Sequence, residues 1–262
     1  MEYGICHLTF IPLRAEPSEK SEMVSQILFG EQAEILEQEK NGDYVLIRNL
    51  FDDYEGWCNV NKLVAVTESD IHKIRSGKMY ITRDILSVFI ARDGISRLYL
   101  GAGSTLTPSD DNTVHVYGMT YRIPDSFYHI PVRSKKENLM ASAKKFINIP
   151  YLWGGRSSFG TDCSGFVQNI YKQSGIPLPR DAKQQAQCGK VVTSAGEILP
   201  GDLLFFHDEK GEIIHTGVYI GNNNIIHASG RVRQDTFDEK GIYCRETGTY
   251  SHALSVIRRI LD

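Results

Sequence analysis

The sequence predicts a multidomain protein: an all-β N-terminal part built as one or two small barrels, then an α+β domain. Three observations predict it. Residues 1–66 break into short runs rich in β-branched and aromatic residues, separated by turn residues. From about residue 134 the apolar spacing becomes helical. After residue 200 strand-like runs follow one another directly, and helices ahead of an antiparallel sheet make an α+β layout. The 262 residues are enough for one to three domains without disulfide staples.

The elements follow in order. "QAEILEQEK", "DYVLIRN" and "EGWCNV" are the strands expected in a first barrel over 1–66, with "KNGD" turning between the first two. Over 67–133, "RLYLGAGSTLT" and "HVYGMTYRIP" alternate like strands around the polar "PSDDN", so a second, diverged barrel is expected. The polar "HIPVRSKKEN" is the expected linker into a domain over 134–262. There "ENLMASAKKFIN" puts Leu139, Met140, Ala143 and Phe146 on one helical face, and "IPYLWGG" ends it. A second helix begins at Cys163, with Phe166, Val167, Ile170 and Tyr171 at helical spacing and a stop at Gly175 and Pro177. A short helix around "DAKQQAQCG" precedes the strands "PGDLLFFH", "IIHTGVYIG" and "NIIHAS".

Several function classes fall away. A net charge of −3 offers no field for nucleic acid, and the Lys144-Lys145 and Arg258-Arg259 pairs read as solvated faces. No apolar run is long enough to cross a bilayer. The N-terminus lacks the basic and apolar regions of a signal peptide, so a cytoplasmic location is expected. Cys6, Cys58, Cys163, Cys188 and Cys244 are odd in number, irregular in spacing and without a CxxC pair, which suits a reducing compartment and suggests no zinc.

Cys163 is the candidate for the chemistry, and a small buried core residue is the alternative reading. In the first turn of a helix the unpaired amides and the dipole favour an anion, which eases loss of the thiol proton. A nucleophilic thiol needs a base within hydrogen-bond reach and a third group to orient that base. His215 and His227 lie on two strand-like runs joined by a Gly-Asn-rich turn. His207 and His252 read as hydrogen-bonded strand residues. A metal site made of Cys163, His215 and His227 is the rival, but no fourth ligand presents itself. The pairing of the two runs poses a problem. A two-residue Asn222-Asn223 turn pairs Gly221 with Asn224 and would set His227 opposite Val218, sending His215 and His227 to opposite faces. A catalytic pair therefore requires a wider turn, a bulge or a bend near Gly221.

"DCSGFVQNIYKQSGIPLPRDA", "LPGDLLFF", "HTGVYIGNNNIIHAS" and "YLWGG" resemble the NlpC family of bacterial cell-wall cysteine peptidases, over residues 134–262. The resemblance implies a papain-like fold with Cys163 as nucleophile, His215 as base and His227 orienting it. It also places Tyr151 near the sulfur and the developing oxyanion, whereas Trp153 reads as a core aromatic. In the N-terminal part, Leu13-Arg14, Pro17, Phe29-Gly30-Glu31 and Gly56-Trp57 resemble the bacterial SH3-like domain found on cell-wall enzymes. The combination is similar to the γ-D-glutamyl-L-diamino acid endopeptidase branch, the dipeptidyl-peptidase VI type. That branch implies murein peptides of the form L-Ala-γ-D-Glu–diamino acid as substrate, with a free L-Ala amine, and no cofactor. It implies Asp181 as partner of the substrate ammonium, besides its reading as a helix N-cap. Glu55 beside Tyr54 is the expected contribution of the first SH3-like domain, and Asp162 and Ser164 are expected to contact substrate. An amidase or acyltransferase on the same scaffold, or a wall-binding protein without catalysis, remain the alternatives.

Overall fold

In the N-terminal barrel β1 (Tyr3–Cys6), β2 (Phe10–Arg14), β3 (Met23–Leu28), β4 (Gln32–Gln38), β5 (Tyr44–Asn49), β6 (Glu55–Asn59) and β7 (Leu63–Val66) form one sheet in the order β3-β2-β6-β5-β4-β1-β7. The structure is a computed structural model that describes residues 2–124 and 136–261. Strand alternation builds the core: β5 buries Val45 and Ile47 and leaves Tyr44, Leu46 and Arg48 only half-buried. Ile11, Leu13 and Ile27 join them, together with the Cys6 and Cys58 thiols. Each aliphatic side chain removed from water contributes about 1.5–3 kcal/mol. Glu31 is buried, but its carboxylate accepts from the Leu28 N–H at 2.8 Å and the Asn49 amide at 3.2 Å, so its burial is compensated.

A helix that the sequence reading did not foresee comes next. In α1 (Glu68–Ser76) the Thr67 side chain and Asp70 form a reciprocal capping box. The strands β8 (Tyr80–Ile81), β9 (Leu86–Ile90), β10 (Arg97–Gly101), β11 (Thr105–Leu106), β12 (Thr113–Val116) and β13 (Met119–Arg122) pair as β9–β10, β8–β11 and β12–β13. "HVYGMTYRIP" is thus a hairpin, because Tyr117 and Gly118 both take positive φ and make a two-residue turn. This region has a separate core of Phe89, Leu100, Leu106, Val114 and Tyr121, which Phe29 of the first barrel's chain enters. Of the expected linker, residues 129–135 lie outside the described residues.

The chain divides into two units, Met1–Val132 and Arg133–Asp262. The second begins with α2 (Lys136–Lys145), β14 (Arg156–Ser157), β15 (Gly160–Thr161), α3 (Cys163–Lys172) and α4 (Ala182–Gln185). It continues through β16 (Lys190–Val191), β17 (Leu203–His207), β18 (Ile213–Gly221), β19 (Asn224–Ser229), β20 (Arg231–Asp238), β21 (Gly241–Cys244) and β22 (Thr249–Arg259). The antiparallel order is β16-β22-β17-β18-β19-β20-β21, and β21 also pairs with β22, so the sheet closes on itself. Every residue of α3 is buried. Of the apolar face expected of α2, Leu139 and Ala143 are buried and Met140 is half-buried, and the buried Phe146, just beyond its end, packs its ring 5.7 Å from that of Phe166 on α3. Arg259 is no solvated charge: its guanidinium donates to the buried Asp202 carboxylate at 2.9 and 2.7 Å.

Candidate active site

The position of Cys163 is fixed by one carboxylate. Asp162 is the N-cap of α3 and accepts from the Gly165 N–H at 2.7 Å, satisfying an amide that the helix itself cannot. It also accepts from the Gly154 N–H at 3.0 Å and the Ser164 hydroxyl at 3.2 Å. The Arg180 guanidinium donates to both of its oxygens, at 3.1 and 2.5 Å, and to the Ser164 hydroxyl at 2.9 Å. Asp162, Ser164 and Arg180 are all buried. The bonding capacity of Asp162 and Ser164 is therefore used within the protein, and the expected substrate contacts give way to a positioning role. The glycine of the D-C-S-G motif has a steric cause. A Cβ at Gly165 would overlap the Gly155 carbonyl oxygen, so only glycine lets the helix start dock on that loop.

The thiol is less acidic than its helix position suggests. Cys163 is buried, and this burial, with the Asp162 charge second, pushes its pKa up to about 12. The Thr216 and Ser164 backbone amides and Arg180 oppose the shift without reversing it. The sulfur is thus placed at the backbone of the residue that follows His215. Among the described residues no direct hydrogen bond joins Cys163 to His215, a contact of the kind that often tightens only with substrate bound. Tyr151 lies beside the same group. Burial, then the Cys163 and Asp162 charges, push its pKa up to about 12, so the phenol stays a donor.

The register conflict is resolved by a bulge. Asn222 and Asn223 both take positive φ in a two-residue turn, and Gly221 does pair with Asn224. The ladder then shifts between Gly221 and Tyr219, so that Gly217, not Val218, faces His227. His215, two residues before Gly217, consequently shares a face with His227, and His215 Nε2 lies 2.8 Å from His227 Nδ1. Gly217 keeps the space clear, since a Cβ there would sit 2.7 Å from Ile225 Cδ1 and 2.8 Å from His227 Cβ.

Asp235 completes the line, and the sequence reading missed it. This buried residue of β20 lies with its Oδ2 3.1 Å from His227 Nε2, and it also accepts from Arg233 Nε at 2.8 Å and the Arg245 N–H at 3.1 Å. The carboxylate cannot donate, so His227 Nε2 carries the proton and its Nδ1 is the acceptor. His215 Nε2 must then donate to that Nδ1, leaving His215 Nδ1 as the basic lone pair. Burial raises the Asp235 pKa, but the hydrogen bonds from His227, Arg245 and Arg233 outweigh it and leave the carboxyl below its ordinary range. Burial, followed by the charges of His227 and His252, holds His215 well below its ordinary value. Burial also lowers His227, against the pull of Asp235. Burial therefore favours the uncharged form of both the Cys163 thiol and the His215 imidazole.

The remaining expected residues make contacts of their own. Asp181 is exposed at the N-cap of α4, with its N–H donating to Gln184 Oε1 at 3.5 Å. Glu55 and Tyr54 belong to the first unit: Glu55 accepts from Arg48 at 2.8 and 3.1 Å, and Tyr54 packs half-buried against the barrel core. Trp153 is 60% exposed and is no core aromatic. His252 is a hydrogen-bonded strand residue of β22, and its ring also stacks on His215. Among the described residues no cluster of three or more His, Cys, Asp or Glu is arranged to hold a metal.

Residues 148–250 match the NlpC/P60 family, and residues 13–63 match the bacterial dipeptidyl-peptidase SH3 domain. The C-terminal unit is an NlpC/P60 domain. A γ-D-glutamyl-L-lysine dipeptidyl-peptidase of Bacillus subtilis is 44% identical over 104 residues, 38% of this chain and 35% of that protein. The chain thus spans about a third of that relative's length. Dipeptidyl-peptidase 6 of Lysinibacillus sphaericus is 27% identical over 250 residues, 87% of this chain and 89% of that protein. A crystal structure of an NlpC/P60 family protein from Bacillus cereus superposes with a TM-score of 0.85 at 20% identity, covering 99% of this chain and all of that one, a likeness of fold.

Two outcomes follow from this NlpC/P60 site. Asp235→Asn keeps the shape but removes the charge that orients His227, and kcat/KM should fall about 10²–10⁴-fold, the range an oriented base contributes. Turnover close to wild type would show that the carboxylate does not act on the base. The second outcome concerns pH. His215, His227 and His252 all have folded pKa values below the ordinary 6.5, so below that pH the unfolded chain binds more protons. Their contribution is complete above 6.5 and is lost as pH falls. Thermal melts should show Tm dropping between about pH 7 and about pH 5; a flat Tm over that window would contradict the buried, neutral imidazoles.

Proposed function

We propose that this protein is a cysteine endopeptidase of murein-peptide recycling. It cleaves the bond between D-glutamate, linked through its γ-carboxyl, and the diamino acid in L-Ala-γ-D-Glu–diamino acid peptides with a free L-Ala amine. The observation that carries the reading is the union of a dipeptidyl-peptidase SH3 domain and an NlpC/P60 domain in one chain, over nearly the full length of dipeptidyl-peptidase 6. The name of the Bacillus subtilis relative, a γ-D-glutamyl-L-lysine dipeptidyl-peptidase, supports the choice of bond.

The chemistry proceeds from a neutral pair. As the Cys163 sulfur bonds to the γ-glutamyl carbonyl carbon, the thiol proton passes to His215 Nδ1. The imidazolium is stabilised through His227 by the Asp235 carboxylate. The oxyanion accepts from the Tyr151 hydroxyl and from amides at the start of α3. When the tetrahedral intermediate collapses, the C–N bond breaks and His215 delivers its proton to the departing amine. Water then attacks the Cys163 thioester, His215 takes a proton from it, and the expelled sulfur takes that proton back. The products are the diamino acid and L-Ala-D-Glu, with no cofactor drawn upon.

Asp181 is assigned to the substrate ammonium. It is exposed at the N-cap of α4, in the chain segment directly after Arg180. An ammonium enclosed by protein needs a paired carboxylate, and losing one costs on the order of 3–5 kcal/mol. Asp181→Ala should therefore lower kcat/KM by roughly two to three decades on free L-Ala-γ-D-Glu-diaminopimelate. The peptide acetylated on L-Ala should be a comparably poor substrate for the wild type. Product mass spectrometry on both peptides side by side tests the reading; equal cleavage would replace the recycling role with wall degradation.

A further inference from the structure

His252 lies outside the residues that the motifs single out. It sits on β22 two residues from Leu254, which pairs with Phe206 of β17, and Phe206 in turn pairs with His215 of β18. Alternation along β22 puts His252 on the face that carries Phe206 and His215. Its ring lies flat on that of His215, centroids 4.1 Å apart and planes inclined by 21°. It meets the rings of Phe206 and His227 edge-on, both at 6.3 Å, and its Nδ1 is 2.9 Å from the Ser251 hydroxyl. His215 is thus held by a hydrogen bond to His227, by the tilted Phe206 ring at 6.0 Å and by His252 across its face. Burial, then the His227 charge, lowers the His252 pKa to about 4, so near neutrality the stack joins two uncharged rings without repulsion.

We propose that His252 is a positioning residue for the reaction: its ring, laid against His215, fixes the imidazole plane so that Nε2 stays on His227 and Nδ1 is kept free to take the Cys163 proton. The hydrogen bond to His227 alone leaves His215 free to swing about the bond it makes, and the flat contact removes that freedom. Orientation of this kind acts on the chemical step and leaves substrate binding untouched. The inference rests on His215 being the base of the proposed peptidase.

The test compares His252→Ala, which removes the ring, with His252→Phe, which keeps a flat ring and removes the polar atoms. On free L-Ala-γ-D-Glu-diaminopimelate, His252→Ala should lower kcat ~10-fold with KM within ~2-fold, and His252→Phe should restore kcat to within ~3-fold of wild type. Wild-type kcat in His252→Ala would overturn the proposal. So would equal loss in the two variants, or a loss confined to KM. Failure of the wild type to cleave this peptide would instead reject the peptidase reading. The positioning claim is then decided by proton NMR of the His215–His227 ring N–H. That signal should be slowly exchanging in wild type and His252→Phe and lost in His252→Ala; an unchanged signal in His252→Ala overturns it.

Discussion

One extra residue on β18 decides whether His215 and His227 meet. Strand side chains alternate with a period of two, so the tight Asn222-Asn223 turn alone would have sent His215 and His227 to opposite faces. The ladder shift between Tyr219 and Gly221 changes the parity without widening the turn. Everything downstream depends on it. The 2.8 Å contact between the imidazoles exists only because Gly217 faces His227, and that contact relays the tautomer set by Asp235. The unprotonated nitrogen of His215 is therefore dictated by a carboxylate two residues farther along the chain of hydrogen bonds.

A second buried carboxylate does the corresponding work for Cys163. Asp162 ties together the start of α3, the Gly154 loop that follows Tyr151, and Arg180 in the segment leading to Asp181. Three stretches distant in sequence are brought to one point, and the thiol is held there neutral. Burial wins over the helix N-terminus: the amides at Ser164 and Thr216 pull the pKa down, yet desolvation with the adjacent Asp162 charge leaves it near 12. Burial thus pushes thiol and imidazole alike toward their uncharged forms.

Much of this was legible in the sequence, for physical reasons that can be named. The helical spacing after Cys163 and the strand runs around His215 and His227 reflect buried faces with strict periods, and the required irregularity near Gly221 followed from counting residues. The glycines of the two motifs were legible as pattern, and their causes became visible only as close approaches to Gly155 and His227. Asp235 was hidden because its strand, β20, carries charged and polar residues at most outward positions, so nothing marked one aspartate as buried. His252 was hidden by distance: it reaches His215 across β17, a neighbour relation that no local pattern encodes. Trp153 misled through its size, and the Thr67–Asp70 box of α1 was a readable signal that was passed over.

The central claim is that Cys163 carries the γ-glutamyl group as a thioester, generated from a neutral thiol by His215. Acid-quenching the enzyme during turnover of free L-Ala-γ-D-Glu-diaminopimelate and weighing the intact chain tests it most directly. The account predicts a mass increase equal to the L-Ala-D-Glu acyl group, located on Cys163 by peptide mapping and absent from Cys163→Ala. Turnover that persists in Cys163→Ala, or an adduct carried by any other residue, would contradict it.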